Sequence, residues 1–233
     1  MFQTLKRKRL LRRAEKENWP DYVQAFLDRA SQCPDKKIPW EGLRFVVFDT
    51  ETTGLNLGTD QMLSIGAVAM HGEQIAIGDS LELVVHSVAL QEPETIAVHG
   101  ITPEEAKRGI PEEEAVRYFL DYLGDAVIVA HHAAFDIGMI ERAVQRQAGE
   151  GFFLPNLRFD TAHLARHLEH GRRSGEYIDH RRYSLDALCQ RHHITMYDRH
   201  TAWGDALITA KLLLKLMRQV RSTNEPVLSC LMK

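Results

Sequence analysis

The sequence predicts an α/β sheet domain. Apolar, β-prone runs alternate along it with stretches of helical period. Two of the longer runs, Met62–Met70 and Gln74–His86, are joined only by His71-Gly72-Glu73, which predicts an antiparallel hairpin. A third observation says where chemistry would sit. Phe45-Val46-Val47-Phe48 runs straight into Asp49, with Glu51 two places later. A continuous apolar run is the mark of a strand buried on both faces. Side chains at i and i+2 leave a strand on the same side. Two carboxylates side by side at such a strand end repel each other and resist desolvation. They are either solvated at a turn, which Thr52-Thr53-Gly54 also fits, or share a cation.

Taken in order, residues 1–43 read as a basic helical extension and linker. Met1 to Glu17 is rich in Leu, Lys and Arg, and Asn18-Trp19-Pro20-Asp21 interrupts it, with Asp21 the expected N-cap of a second helix. Tyr22, Phe26, Leu27 and Ala30 are spaced as one face of that helix. Cys33 to Trp40, holding Pro34 and Pro39, reads as a linker. The block Lys6, Arg7, Lys8, Arg9, Arg12 and Arg13 is either a solvated helix face or a patch for nucleic acid or a protein.

The main domain spans 44–221. Its first strand is Phe45–Asp49, followed by the hairpin, so three strands lead. Short helices are expected at Pro93–Val98 and Thr102–Lys107, around His99-Gly100-Ile101. Pro111–Leu123 has Pro at its start and Glu in its first turn, both favoured there. Ala126–Ala130 is the fourth strand, Ala133–Gln147 a helix, and Leu157–Phe159 a short fifth strand. Asp160 and Ser184 are placed to cap helices Thr161–Leu168 and Leu185–His192. Between them Gly171 to Arg182 is a polar, Arg-rich loop, either solvated or in contact with phosphate. Ala202–Val220 is a long amphipathic helix, and residues 222–233 form a tail.

Bulk composition narrows the class. In 233 residues, 44% are hydrophobic and 26% charged, which supports one sizeable core. A net charge of −3 neither demands nor excludes a polyanionic partner. Three cysteines, far apart and in no ligand-like spacing, fit a reducing compartment. No apolar run approaches the ~20 residues of a membrane span, and no signal-peptide core is evident. The chain therefore reads as a cytoplasmic protein with no membrane partner.

Two further acids stand alone among apolar neighbours, each near a helix start. Asp136 follows Ala133-Ala134-Phe135, and Asp205 precedes Ala206-Leu207-Ile208. Either could serve only the helix dipole. His200 lies five residues before Asp205. Asp160 and Asp186 are read as helix-start residues. His163 and His167, at i and i+4, lack a third metal ligand.

Taken together, Asp49-x-Glu51, Val-Ala-His-His-Ala-Ala-Phe-Asp136 and His200-x4-Asp205 resemble the three exonuclease motifs of the DEDDh family, also called DnaQ-like. The resemblance covers about residues 44–220. It implies a ribonuclease H-like mixed five-stranded sheet flanked by helices. It implies also a 3′→5′ exonuclease using two divalent cations, Mg²⁺ or Mn²⁺, to release nucleoside 5′-monophosphates from a single-stranded or frayed 3′ end. By resemblance Asp49 bridges both ions, Glu51 and Asp205 complete the first site, Asp136 supports the second, and His200 is the general base. Thr52 and Leu55 would hold the terminal nucleotide and Phe135 would wall its pocket, with His99 and His132 as further substrate contacts. His132 departs from the family, which often has Asn there. Val98-His99-Gly100-Ile101-Thr102 looks like the proofreading subunits of bacterial replicative polymerases, which favours DNA over RNA as substrate. The same likeness suggests a DNA polymerase or other protein partner for the extension or tail. An exoribonuclease of the same family and an inactive docking module are the alternatives.

Overall fold

Nine residues from Arg44 to Thr52 form β1, the middle strand of a five-stranded sheet. Around it lie β2 (Met62–His71), β3 (Gln74–Val84), β4 (Val127–Ala130) and β5 (Arg158–Asp160), in the order β3-β2-β1-β4-β5. The first three strands pair antiparallel, and β4 and β5 run parallel to β1. The structure is a computed structural model and describes residues 2–32, 39–88, 96, 99–171 and 179–222. Among the described residues eight helices flank the sheet. They are α1 (Phe2–Lys16), α2 (Asp21–Ala30), α3 (Pro103–Arg108), α4 (Glu112–Leu123), α5 (Ala134–Ala148), α6 (Thr161–His170), α7 (Leu185–Arg191) and α8 (Ala202–Ser222).

Strand alternation divides the core in two. Val46 and Phe48 face one way, into a cluster with Phe119 and Leu120 of α4 and Ile137 and Ile140 of α5. Phe45 and Val47 face the other way, into a cluster with Leu164 of α6, Leu188 of α7 and Leu212 and Leu216 of α8. Covering both faces explains why β1 and β2 read as unbroken apolar runs, whereas the edge strand β3 alternates. The two N-terminal helices join the first cluster. Leu10 and Ala14 of α1 and Val23, Phe26, Leu27 and Ala30 of α2 are buried in it, and Trp19 sits 6.1 Å from Phe152, ring to ring.

The mixed sheet with its hairpin and flanking helices is the architecture expected. Several details differ. β1 continues through Asp49 to Thr52, because antiparallel pairing with β2 persists to Glu51↔Ser64 before the register shifts. The acids thus lie on the strand itself. β3 ends at Val84; Val85 keeps one bond to Leu63 O of β2 (2.8 Å) and also bridges Ile110, whose carbonyl takes the N–H of His86 (2.7 Å). Pro20 takes the N-cap position and Asp21 is the first helical residue, where an acid still favours the dipole. Thr102 caps α3 in a reciprocal capping box with Glu105. The helix expected at Pro93–Val98, most of the linker after Cys33, the centre of the Arg-rich loop and the tail beyond Ser222 lie outside the described residues. No helix among those described is long and apolar enough to cross a membrane.

One close approach positions the last helix. Gly66 of β2 pairs with Asp49, and a Cβ at Gly66 would collide with the backbone of Ala202 and Trp203 in the first turn of α8. We expect Gly66→Ala to lower stability by at least about 2 kcal/mol, since neither backbone can yield without moving the other. Chemical denaturation would check this, and wild-type stability would contradict the close approach.

Candidate active site

The alternation that divides the core also aims the acids. Asp49 and Glu51 leave β1 on the α8 side, while Thr50 leaves on the α5 side. Asp205 is the fourth residue of α8, its backbone N–H bonded to Thr201 O at 2.9 Å. Gly204 lets the turn before the helix fold tightly over it, because a Cβ there would collide with the carbonyl of Asp198. Asp49, Glu51 and Asp205 each present a carboxylate oxygen, and the three oxygens lie within 4.8 Å of one another. It is the sole metal-sized group of three such side chains among the described residues.

Asp136 approaches from the other face. It is buried in the first turn of α5, and its Oδ1 accepts hydrogen bonds from Thr50 N (3.0 Å) and Thr50 Oγ1 (2.7 Å). Thr50 therefore ties Asp136 to the segment that carries Asp49 and Glu51. On the opposite side Arg199 donates to Asp205 Oδ2 and, through Nε, to Asp186 Oδ1 at 2.8 Å. Asp205 Oδ1 is buried and has no hydrogen-bond partner among the described residues.

The electrostatics follow from that crowding. Burial raises the pKa of Asp49 well above the carboxylate range, and the charges of Asp136, Asp205 and Glu51 raise it further. Glu51 is pushed from 4.5 to about 8, first by burial and then by Asp205. Asp136 is raised to about 7 by burial, against the hydrogen bonds from Thr50. Asp205 is raised by burial and held back by Arg199. Four acids that cannot all ionise together are a poor structural element and a good cation site, because a bound cation inverts the local preference. The orphaned Asp205 Oδ1 and the all-carboxylate donor set suit a hard divalent cation.

Of the other expected site residues, only His200 hydrogen-bonds one of these carboxylates, through its backbone to Asp205, among the described residues. Thr52 is buried and donates from Oγ1 to Gly54 O at 2.7 Å, shaping the turn. Leu55 is 84% exposed, on the loop whose Leu57 packs at Gly138 of α5. Phe135 is half-buried against the first core cluster. His99 is buried, its Nδ1 accepting from Ile101 N at 3.0 Å and its Nε2 without a hydrogen-bond partner. His132 and His200 are exposed, both in left-handed backbone (φ 58° and 67°). The ring of His200 lies beside Arg199, Nδ1 to Nη1 3.2 Å.

Asp160 and Ser184 are the caps expected: the Asp160 carboxylate accepts from Ala162 N and His163 N, and Ser184 Oγ from Ala187 N. Asp186 lies in the first turn of α7, as expected, and also pairs with Arg199. His163 contacts Arg166 at 3.1 Å and joins no metal-sized group among the described residues.

Sequence reasoning missed Thr50, Arg199 and Gly66. Thr50 was within reach, since a residue between two acids that face one way must face the other. Arg199 gave no signal beyond standing next to His200, and Gly66 none beyond being a glycine in an apolar strand.

A pH prediction follows from the acids. Glu51 titrates near 8 in the folded protein against 4.5 ordinarily, so between those values the folded state holds more protons than the unfolded one. Without a cation, this group makes stability fall as pH rises through that window. A cation displaces those protons, so the rise in Tm caused by a millimolar divalent cation is expected to be larger at pH 8 than at pH 5.5. A shift independent of pH would contradict the cluster as the binding site.

Comparison with known proteins places this geometry among relatives. The family model described as "Exonuclease" matches residues 46–213. A DNA polymerase III subunit epsilon-like protein of Rhodobacter capsulatus is 34% identical over 200 residues, covering 84% of this chain and 27% of that protein. A PolC-type DNA polymerase III of Caldanaerobacter subterraneus subsp. tengcongensis is 32% identical over 177 residues, covering 76% of this chain and 12% of the polymerase. The chain thus spans about a quarter or less of these relatives. Among solved structures, E. coli exonuclease I in complex with a dT13 oligonucleotide superposes with a TM-score of 0.64 at 19% identity, over 78% of this chain and 43% of that one, a likeness of fold.

Proposed function

The chain belongs to the exonuclease family, the DnaQ-like group, and from that premise we propose that it is a 3′→5′ exonuclease acting on the 3′ end of single-stranded or frayed DNA. It hydrolyses the terminal phosphodiester bond and releases a nucleoside 5′-monophosphate. The observation that carries this reading is the convergence of Asp49, Glu51 and Asp205 within 4.8 Å, with Asp136 tied to the same strand through Thr50. The choice of DNA draws support from relatives named for DNA polymerase III and a structural neighbour solved with dT13.

Two divalent cations, Mg²⁺ or Mn²⁺, would supply charge stabilisation for the attacking and leaving oxygens of an in-line displacement. Asp49, Glu51 and Asp205 would hold one cation, and Asp136 with Asp49 would support the other. His200, exposed at the mouth, takes the proton from the attacking water, a task imidazole suits near neutral pH. Thr52 shapes the turn that seats the terminal nucleotide, Leu55 offers it an apolar contact, and Phe135 walls the pocket. His99 and His132 are the remaining substrate contacts. Arg199 offsets the charge of Asp205 and keeps its carboxylate oriented.

In this reading residues 44–221 are the exonuclease domain. Residues 1–43 are a basic appendage, fixed to it through the buried faces of α1 and α2, and residues 222–233 are a tail. The appendage or tail docks a DNA polymerase or another protein, and the protein acts in the cytoplasm.

Incubation of 3′-labelled DNA and RNA oligonucleotides of matched sequence with Mn²⁺ tests the proposal. We expect the DNA to shorten faster from its 3′ end, and Glu51→Ala or Asp205→Ala to lower the rate by roughly 10³-fold or more while sparing the fold. Faster loss of the RNA would make the enzyme an exoribonuclease, and no shortening of either would leave a docking module. His200→Ala is expected to slow turnover about 10²–10⁴-fold. It should also flatten the acid limb of the pH–rate profile, where a protonated imidazole cannot accept the proton; an unchanged profile would remove His200 from that role.

A further inference from the structure

The β5 side of the site holds a small polar cavity of about 120 Å³, lined by His132, Asp160, His163, Arg166, His180 and Tyr183. Asp160 pairs with Ala130 in the β4–β5 register, so the cavity opens at the C-terminal ends of these strands. Asp49 and Glu51 lie at the same end of the parallel strand β1. Strands are 4.7–4.9 Å apart, so the two steps from β1 to β5 cover about 10 Å. β2 lies on the other side of β1.

The charges in the cavity are arranged for an anion. Arg166 is half-buried and makes no ion pair with a carboxylate among the described residues; its Nη2 donates to His163 Nδ1 at 3.1 Å. That contact makes Nδ1 an acceptor and assigns the proton of His163 to Nε2, a donor. The one carboxylate in the wall, Asp160, is engaged by four backbone N–H groups: those of His132 (3.3 Å), Ala133 (3.0 Å), Ala162 (2.9 Å) and His163 (3.1 Å). Those bonds also fix His132 and the start of α6 against each other. Behind the wall, buried His131 donates from Nε2 to Tyr183 O (3.0 Å), and its Nδ1 accepts from Thr161 Oγ1 (2.8 Å). Burial holds His131 down at about 4, so this brace between β4, α6 and the turn at Tyr183 stays uncharged at neutral pH.

We propose that this cavity is a phosphate subsite for the same nucleic-acid strand. It would hold a backbone phosphate upstream of the scissile bond, with Arg166 as its charged contact and His132, His163 and His180 as further donors. The inference rests on the exonuclease reading above. The cavity is ample for a phosphate group, and arginine is suited to bind phosphate through two N–H groups at once. Contacts of this kind set the register of a strand without reading its sequence.

The test compares two substrates with the full chain and Mn²⁺. The p-nitrophenyl ester of thymidine 5′-monophosphate has a scissile phosphodiester and no upstream phosphate; a dT12 oligonucleotide has both. Arg166→Ala is expected to lower kcat/KM on dT12 roughly tenfold, mainly through KM, and to leave the ester rate unchanged. It should also reduce the salt slope of oligonucleotide binding by about 0.7, the value for one phosphate on a single strand, and Arg166→Lys should restore part of the loss. Equal losses on both substrates would make Arg166 a prop for α6, and no loss on either would leave the cavity without a substrate role; both overturn the subsite. If the wild-type chain cleaves neither substrate, the exonuclease reading itself fails and the subsite with it.

Discussion

The close approach of α8 to β2 at Gly66 governs the chemistry of this molecule. Without a side chain at that position, the first turn of α8 rests directly on the sheet, opposite Asp49. Asp205, one turn further along, then has no place to go but against Asp49 and Glu51. The apolar length of α8 beyond it, with Ile208, Leu212, Leu213 and Leu216 buried, keeps the helix pressed down. Hydrophobic burial along the body of the helix thus holds together charges that repel each other at the helix start.

That repulsion is considerable. Three carboxylates meet in a half-buried cleft and a fourth lies behind them, and burial raises the pKa of each. The surroundings soften the conflict in two ways. Thr50 gives Asp136 two hydrogen bonds, and Arg199 gives Asp205 a counter-charge. The Arg199 charge also pulls the pKa of Asp49 down, against burial and the three neighbouring acids, but neither device satisfies Asp205 Oδ1. A fold that tolerates such a cluster gives up stability to do so, and sites of this kind are where function explains a local violation of packing rules.

Much of the fold was legible in the sequence because its signals are local. The apolar run of β1, the hairpin around Gly72, the caps Asp160 and Ser184 and the period of α8 each depend on residues within a few positions. The lone acids Asp49, Glu51, Asp136 and Asp205 stood out for the same reason: each interrupts an apolar pattern. What was not legible depends on distant partners. β1 extends past Asp49 because β2 continues to pair with it, and β3 stops short of His86 because the N–H of His86 goes to Ile110 instead of β2. The N-terminal helices looked like an appendage by composition, yet their apolar faces join the core shared by α4 and α5. The pairing of Arg199 with both Asp186 and Asp205 joins the start of α7 to the start of α8, which no local pattern announces.

By itself the sequence determined which elements form, which side of β1 each acid leaves from, and that the ordered motifs resemble the exonuclease family. Those properties follow from backbone period and residue chemistry, which act over a few residues. Only the tertiary structure decided that three of the acids come within 4.8 Å while Asp136 is held behind them by Thr50. It also decided that Arg166 and three histidines share a cavity at the same end of the sheet. Distances between residues a hundred or more positions apart depend on how helices seat on the sheet. That seating was set here by a missing side chain at Gly66, and no periodicity in the sequence encodes it.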